Sequence, residues 1–295
     1  MSALDDGRRT PVPADSRSDD SSGRGWRGWV AHHPVTAFLV VALPLGWAVL
    51  GVPALAHHGL VPGADFPFEV FALALTVLVM LPTAVWVVSV AEGRDGVRRL
   101  FARTFRWRFG LGWWGAVLLA VPVGTIALGV LSGRSVDTTD LPSVLLSGTM
   151  SALLPLFLVN LWEETVWAGF LQTRLRARSG FWPAAVLTAV AFAGIHVPLQ
   201  FVGPVTAASV ASGVGALLVL GLLVRVMVGV VLTATGGSVL AVAVLHALFN
   251  ATTAEGDLAD RLLSGAAPLP FAVTAVVLVT AAAAAALRTG RRQAP

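Results

Sequence analysis

The 295-residue chain has 20 basic and 16 acidic residues, for a formal net charge of +4, yet charged residues make up only 12% of it against 56% hydrophobic. A soluble fold of this length needs a charged shell, whereas here whole stretches of about 20 residues carry no charge, which is the composition of a polytopic membrane protein. No cysteine is present, which excludes disulfides, thiolate metal ligands and a Cys nucleophile, and the lack of tyrosine removes one class of general acid.

In chain order, residues 1–30 are rich in Asp, Ser, Gly, Pro and Arg and are read as an unordered cytoplasmic tail. Eight apolar segments follow, at 36–56, 68–91, 111–131, 144–170, 181–202, 208–234, 238–253 and 268–287. Every basic residue is arginine, and the arginines gather in the tail, in the connections after the second and fourth segments, and after the eighth. That asymmetry predicts an all-α protein with eight transmembrane helices and both termini cytoplasmic. The arginines stand beside hydrophobic segments, so the basic balance points to anionic lipid and membrane orientation, with no nucleic-acid partner. Within 92–110, arginines alternate with Leu, Phe and Trp, the pattern of an interfacial amphipathic helix. The expected organisation is the tail (1–30), three spans with that basic segment (31–142), a core (143–253), and a last span with a basic tail (254–295).

Ionisable groups inside the membrane are costly and usually functional. The chain offers Glu163 and Glu164 in the fourth segment, His196 in the fifth, Arg225 in the sixth, and His246 with Asn250 in the seventh. Singly, a buried His or Asn is commonly interhelical glue, and an Arg near a span end commonly snorkels or forms a structural ion pair. The adjacent carboxylates are harder to assign to structure, because they point about 100° apart on a helix and each needs a partner. Two close carboxylates resist simultaneous ionisation, so one of them suits proton transfer near neutral pH. His246 and Asn250 are four apart and share a helix face, where both could donate to one developing negative charge. A Glu-activated water attacking a carbonyl so held is a peptidase mechanism. By residue type, Glu163, His196 and His246 are also a sufficient set for an open catalytic zinc.

Three motifs in order resemble the CAAX-protease and bacteriocin-processing family of intramembrane endopeptidases. "EETVWAGFLQTRL" is similar to the family's EExxxR motif, "FAGIH" (Phe192 to His196) to FxxxH, and "HALFN" to HxxxN. The resemblance covers about residues 145–253. It implies that Glu163 is the general base, activating water with His196, that Glu164 shares the acidic site, and that His246 and Asn250 stabilise the oxyanion. Family members are described both as metalloproteases and as metal-independent glutamate-dependent enzymes. Their substrates are prenylated CAAX proteins in eukaryotes, and peptides or membrane proteins in bacteria. For this chain the resemblance implies a multi-pass protein of the bacterial plasma membrane with a peptide or membrane-protein substrate. One departure stands out: Ala168 occupies the position of the motif arginine. Either that arginine is dispensable, or another cation (Arg225, with Arg174 as the rival) takes its place, or the protein is a silent relative acting as a scaffold or immunity-type binder. A proton-coupled transporter is a further reading. A peptidase requires the named residues to converge, whereas a transporter strings them along a path.

Overall fold

The structure, a computed structural model, describes residues 25–62, 67–203, 205–253, 256 and 258–264. It is helical, and among the described residues the β pairing amounts to one isolated bridge, Val136 with Leu263. In chain order the helices are α1 (Trp26–His32), α2 (Pro34–His57), α3 (Phe68–Thr104), α4 (Leu111–Leu131), α5 (Leu141–Ser179), α6 (Phe181–Ile195), α7 (Ala207–Ala234), α8 (Val239–Thr253) and α9 (Leu258–Leu262). Five of them, α2, α3, α4, α5 and α7, are long and apolar enough to cross a membrane, and α6 and α8 are shorter apolar helices. Seven of the eight expected apolar segments are therefore helices; the eighth, 268–287, lies outside the described residues, as does 1–24 of the expected tail.

Three local differences from the sequence reading have physical causes. Residues 26–30, read as the end of the tail, already belong to α1, where Trp26 stacks on Trp86 of α3 with ring centroids 6.2 Å apart. The basic segment 92–110 is not one helix. Gly93 sits at φ 68°, a left-handed conformation that breaks α3 internally, and the chain leaves the helix after Thr104. Residues 105–110 then fold back on α4, with the Trp114 indole donating to the Trp107 carbonyl (3.2 Å) and stacking on Phe109 at 4.5 Å. Finally, the apolar segment 181–202 is helical only to Ile195, after which Val197–Phe201 forms a 3₁₀ turn with Pro198 near its start.

The packing sets α5 between two apolar cores. On one side Trp167 and Phe170 join Phe38, Leu50, Met80, Val87 and Ile195 of α2, α3 and α6. On the other, Ala168 packs with Val117, Val121, Met227, Val231 and Leu245 of α4, α7 and α8. The outward faces stay apolar as well, Leu119, Leu146, Phe157 and Val190 among them, which is what a lipid-facing surface requires and a water-facing one penalises. At the α2–α6 crossing a Cβ on Gly46 would stand 2.7 Å from the Ile195 side chain, and the Trp47 indole donates to the Gly194 carbonyl at 2.8 Å. These contacts fix the end of α6 immediately before His196.

Candidate active site

The carboxylates sit on an unusual piece of helix. Leu161–Glu164 is one ordinary α turn between two widened, π-type stretches, Leu156–Asn160 and Thr165–Gln172. Wide turns rotate the side chains that follow them and occur disproportionately at functional sites. Here the carbonyls that wide hydrogen bonding exposes are taken by side chains five residues on: the Trp162 indole donates to Phe157 at 2.9 Å and the Thr173 hydroxyl to Ala168 at 2.7 Å.

The two glutamates have different surroundings. Glu164 is fully buried, and Arg225 of α7 donates to both of its oxygens, Nη1 to Oε2 at 2.8 Å and Nη2 to Oε1 at 2.7 Å. His246 of α8 places Nδ1 2.8 Å from the same Oε1. Because a carboxylate in a bidentate arginine pair only accepts, His246 donates from Nδ1, and its Nε2 points elsewhere with no hydrogen-bond partner among the described residues. Glu163, 8% exposed, has one contact of this kind: the Trp167 indole, one turn on, donates to its Oε1 at 3.3 Å. Its other oxygen has no protein donor among the described residues. Glu164 is thus neutralised by its partners, while Glu163 is left with an unengaged carboxylate oxygen.

His196 follows the last residue of α6, and its Nδ1 lies 2.7 Å from the Phe192 carbonyl one turn earlier. A carbonyl only accepts, so Nδ1 carries the proton and the neutral ring presents Nε2 as a lone pair. The Phe192 ring lies tilted against the imidazole with centroids 4.4 Å apart, lies edge-on to Trp167 at 5.7 Å and carries the Arg225 guanidinium at 5.4 Å. This supplies a physical reason for the spacing in "FAGIH": the Phe residue orients the imidazole with its backbone and separates it from the arginine with its ring. Glu163, His246 and Arg225 all lie within electrostatic reach of His196, and Glu163, Glu164 and Arg225 within reach of His246. Four helices therefore bring Glu163, Glu164, His196 and His246 together around Arg225. Asn250 lies one turn beyond His246, is half-buried, and makes no hydrogen bond among the described residues.

Arg174, the rival cation, is committed elsewhere. Its guanidinium pairs with Glu92 of α3 and lies over the Phe170 ring at 4.4 Å. Residues that the sequence does not single out also take part. Trp167 holds Glu163, a contact signalled in sequence by its i+4 spacing, and Asn160 is buried with its Oδ1 unpartnered one turn before the pair. The Arg225 Nε is a second buried orphan, and such groups in a polar site are where a water or ligand atom binds.

A zinc ion would need Glu163, His196 and His246 to converge as ligands. Among the described residues no three His, Asp or Glu side chains form such a group. Each imidazole keeps Nε2 open, since Nδ1 of His246 bonds Glu164 and Nδ1 of His196 bonds the Phe192 carbonyl, so what a metal would lack here is the approach of the three groups rather than donor atoms.

Residues 145–252 match the family model of the type II CAAX prenyl endopeptidases, Rce1-like. Over that segment the chain is similar to this family. No curated protein matches the chain. The Rce1-like segment runs from within α5 to the end of α8 and contains Glu163, Glu164, His196, Arg225, His246 and Asn250. The Rce1-like family is a peptidase family of the membrane, in keeping with the apolar helices of this chain.

Proposed function

We propose that the protein is an active intramembrane endopeptidase that hydrolyses a peptide bond in a membrane-associated protein or peptide, in the plasma membrane of a bacterium. The observation that carries this reading is the division of labour between the carboxylates. Glu164 is neutralised by Arg225 and His246, while Glu163 keeps a free oxygen and lies within electrostatic reach of His196, whose neutral ring presents an Nε2 lone pair. A water between Glu163 and His196 loses a proton to Glu163, and its oxygen attacks the scissile carbonyl. The oxyanion that forms is met by donors on α8. The Asn250 amide serves directly, whereas His246 can donate from Nε2 only as an imidazolium, because its Nδ1 proton is given to Glu164. The proton on Glu163 then passes to the leaving amine as the C–N bond breaks. No step requires a metal.

The silent-relative reading draws on Ala168. Against it stands Arg225, which brings from the facing helix the cation that an arginine at 168 would supply from α5 itself. The test is cleavage of membrane-protein or proteome-derived peptides by the purified protein, compared with Glu163→Ala and His196→Ala. Cleavage lost in both variants is the expected result, and equal cleavage by either would overturn the assignment.

A further inference from the structure

At the arginine-bearing end of the bundle, away from the carboxylates, a cavity of about 470 Å³ opens between the ends of α3, α5 and α7. Its size is that of a small-molecule site. Arg103 and Arg176 line it together with Thr173, Thr233 and Gln172, and no acidic residue does. The turn after α7 completes the wall at Gly236 and Gly237, and the Arg106 guanidinium stands against Gly236. Glu92 lines the neighbouring cleft, which Arg103 also borders, and is engaged there by Arg99 and Arg174. Arg176 is held by the Thr233 hydroxyl and the Phe181 ring rather than by a counter-ion, and Arg103 has no ion pair among the described residues. Two arginines thus line the hollow and a third stands at its Gly236 wall, with no acidic residue in the lining.

One more observation identifies the ligand. Exposed Phe105, Trp107 and Trp182 mark the same end of the bundle, the placement of an aromatic belt at headgroup level. We infer that this cavity binds the headgroup of an anionic glycerophospholipid, its phosphate on Arg103, Arg106 and Arg176.

The test uses the full chain purified in a neutral detergent and titrated calorimetrically with short-chain phosphatidylglycerol, phosphatidylmethanol, phosphatidylcholine or inorganic phosphate. Saturable binding of phosphatidylglycerol and of phosphatidylmethanol, which carries the same charge, is expected, each about tenfold tighter than zwitterionic phosphatidylcholine. Arg103→Gln replaces an exposed side chain without an ion pair, so it leaves the fold intact; it should weaken phosphatidylglycerol about tenfold, and Arg103→Gln with Arg176→Gln should abolish binding. Arg178→Gln, on the same helix end but outside the cavity, should change nothing. Equal binding of phosphatidylcholine, or affinity unchanged in Arg103→Gln, would overturn the site. Inorganic phosphate binding as tightly as the lipid, and lost in the double variant, would keep the phosphate site and overturn its assignment to a lipid.

Discussion

Substitution of Arg225 by Met keeps the length and apolar stem of the side chain and removes the guanidinium. Glu164 is then a fully buried carboxylate whose remaining partner is His246 at 2.8 Å. Breaking a buried ion pair by removing one member typically costs about 3–5 kcal/mol. The remaining imidazole bond places the expected loss near the lower end, at about 3 kcal/mol. Glu164→Gln alone should cost a similar amount, by leaving the guanidinium without its carboxylate. In the double variant neither charge is left buried, so its cost should fall below the sum of the singles by about 2 kcal/mol or more. The assay is equilibrium unfolding in mixed micelles followed by circular dichroism. A further substitution adds geometry: Ala168 lies one turn from Glu164 and packs against Met227 and Val228, a turn along α7 from Arg225. Ala168→Arg should therefore rescue Arg225→Ala while destabilising the parent, where a second cation has no carboxylate to meet. Single-variant costs that add within about 0.5 kcal/mol, together with no rescue by Ala168→Arg, would refute the reasoning.

Glu163→Gln removes the base and keeps an acceptor for the Trp167 indole, so peptide cleavage should fall by about 10²–10⁴-fold with the unfolding midpoint nearly unchanged. Trp167→Phe deletes only the indole donor to Glu163; kcat should drop several-fold while KM is held, and the split is read from initial rates across substrate concentration. Exhaustive chelation should leave turnover unaltered, since Glu163, His196 and His246 do not form a ligand group; activity lost to the chelator and regained with zinc would contradict this. Outside the membrane-spanning helices, Asp137 accepts from the Thr139 hydroxyl at 2.6 Å and its backbone N–H at 2.9 Å, which hold its carboxyl below the usual range. Its contribution to stability is therefore present above the ordinary carboxylate pKa and is lost as pH falls through the lower, folded-state value. Thr139→Val should move that titration upward, as followed by carboxyl carbon NMR.

The helices are legible in the sequence because uninterrupted apolar runs of membrane length leave the backbone no other way to satisfy its hydrogen bonds. The carboxylate and histidine set is legible because each member is costly where it stands. The partner of Glu164 is only half legible: Arg225 and Arg174 are both within sequence reach, and only the packing of α7 on α5, with Glu92 beside Arg174, separates them. The widened turns on either side of Leu161–Glu164 have no sequence signature that periodicity detects, yet they help set which way Glu163 and Glu164 point. The early end of α6 is signalled by Pro198, but the residues around that proline are as apolar as the helix and mask the break. The cavity at the arginine end is assembled from three helix ends, and residues so distant in sequence cannot be associated without the fold.

The short helices bear on how the proposed hydrolytic site would obtain water. At 1.5 Å per residue, the 15 residues of α6 and of α8 each span about 22 Å, against roughly 30 Å of hydrocarbon. A bundle with two such members cannot match the bilayer on that side: either the leaflet thins there, or the polar boundary dips inward along them. His196 stands at the very end of α6, so the mismatch brings aqueous surface to the imidazole rather than requiring water to cross a full leaflet. If the proposed hydrolysis takes place there, bilayer thickness becomes a control on it, and longer acyl chains should slow turnover by burying that entrance without altering a side chain.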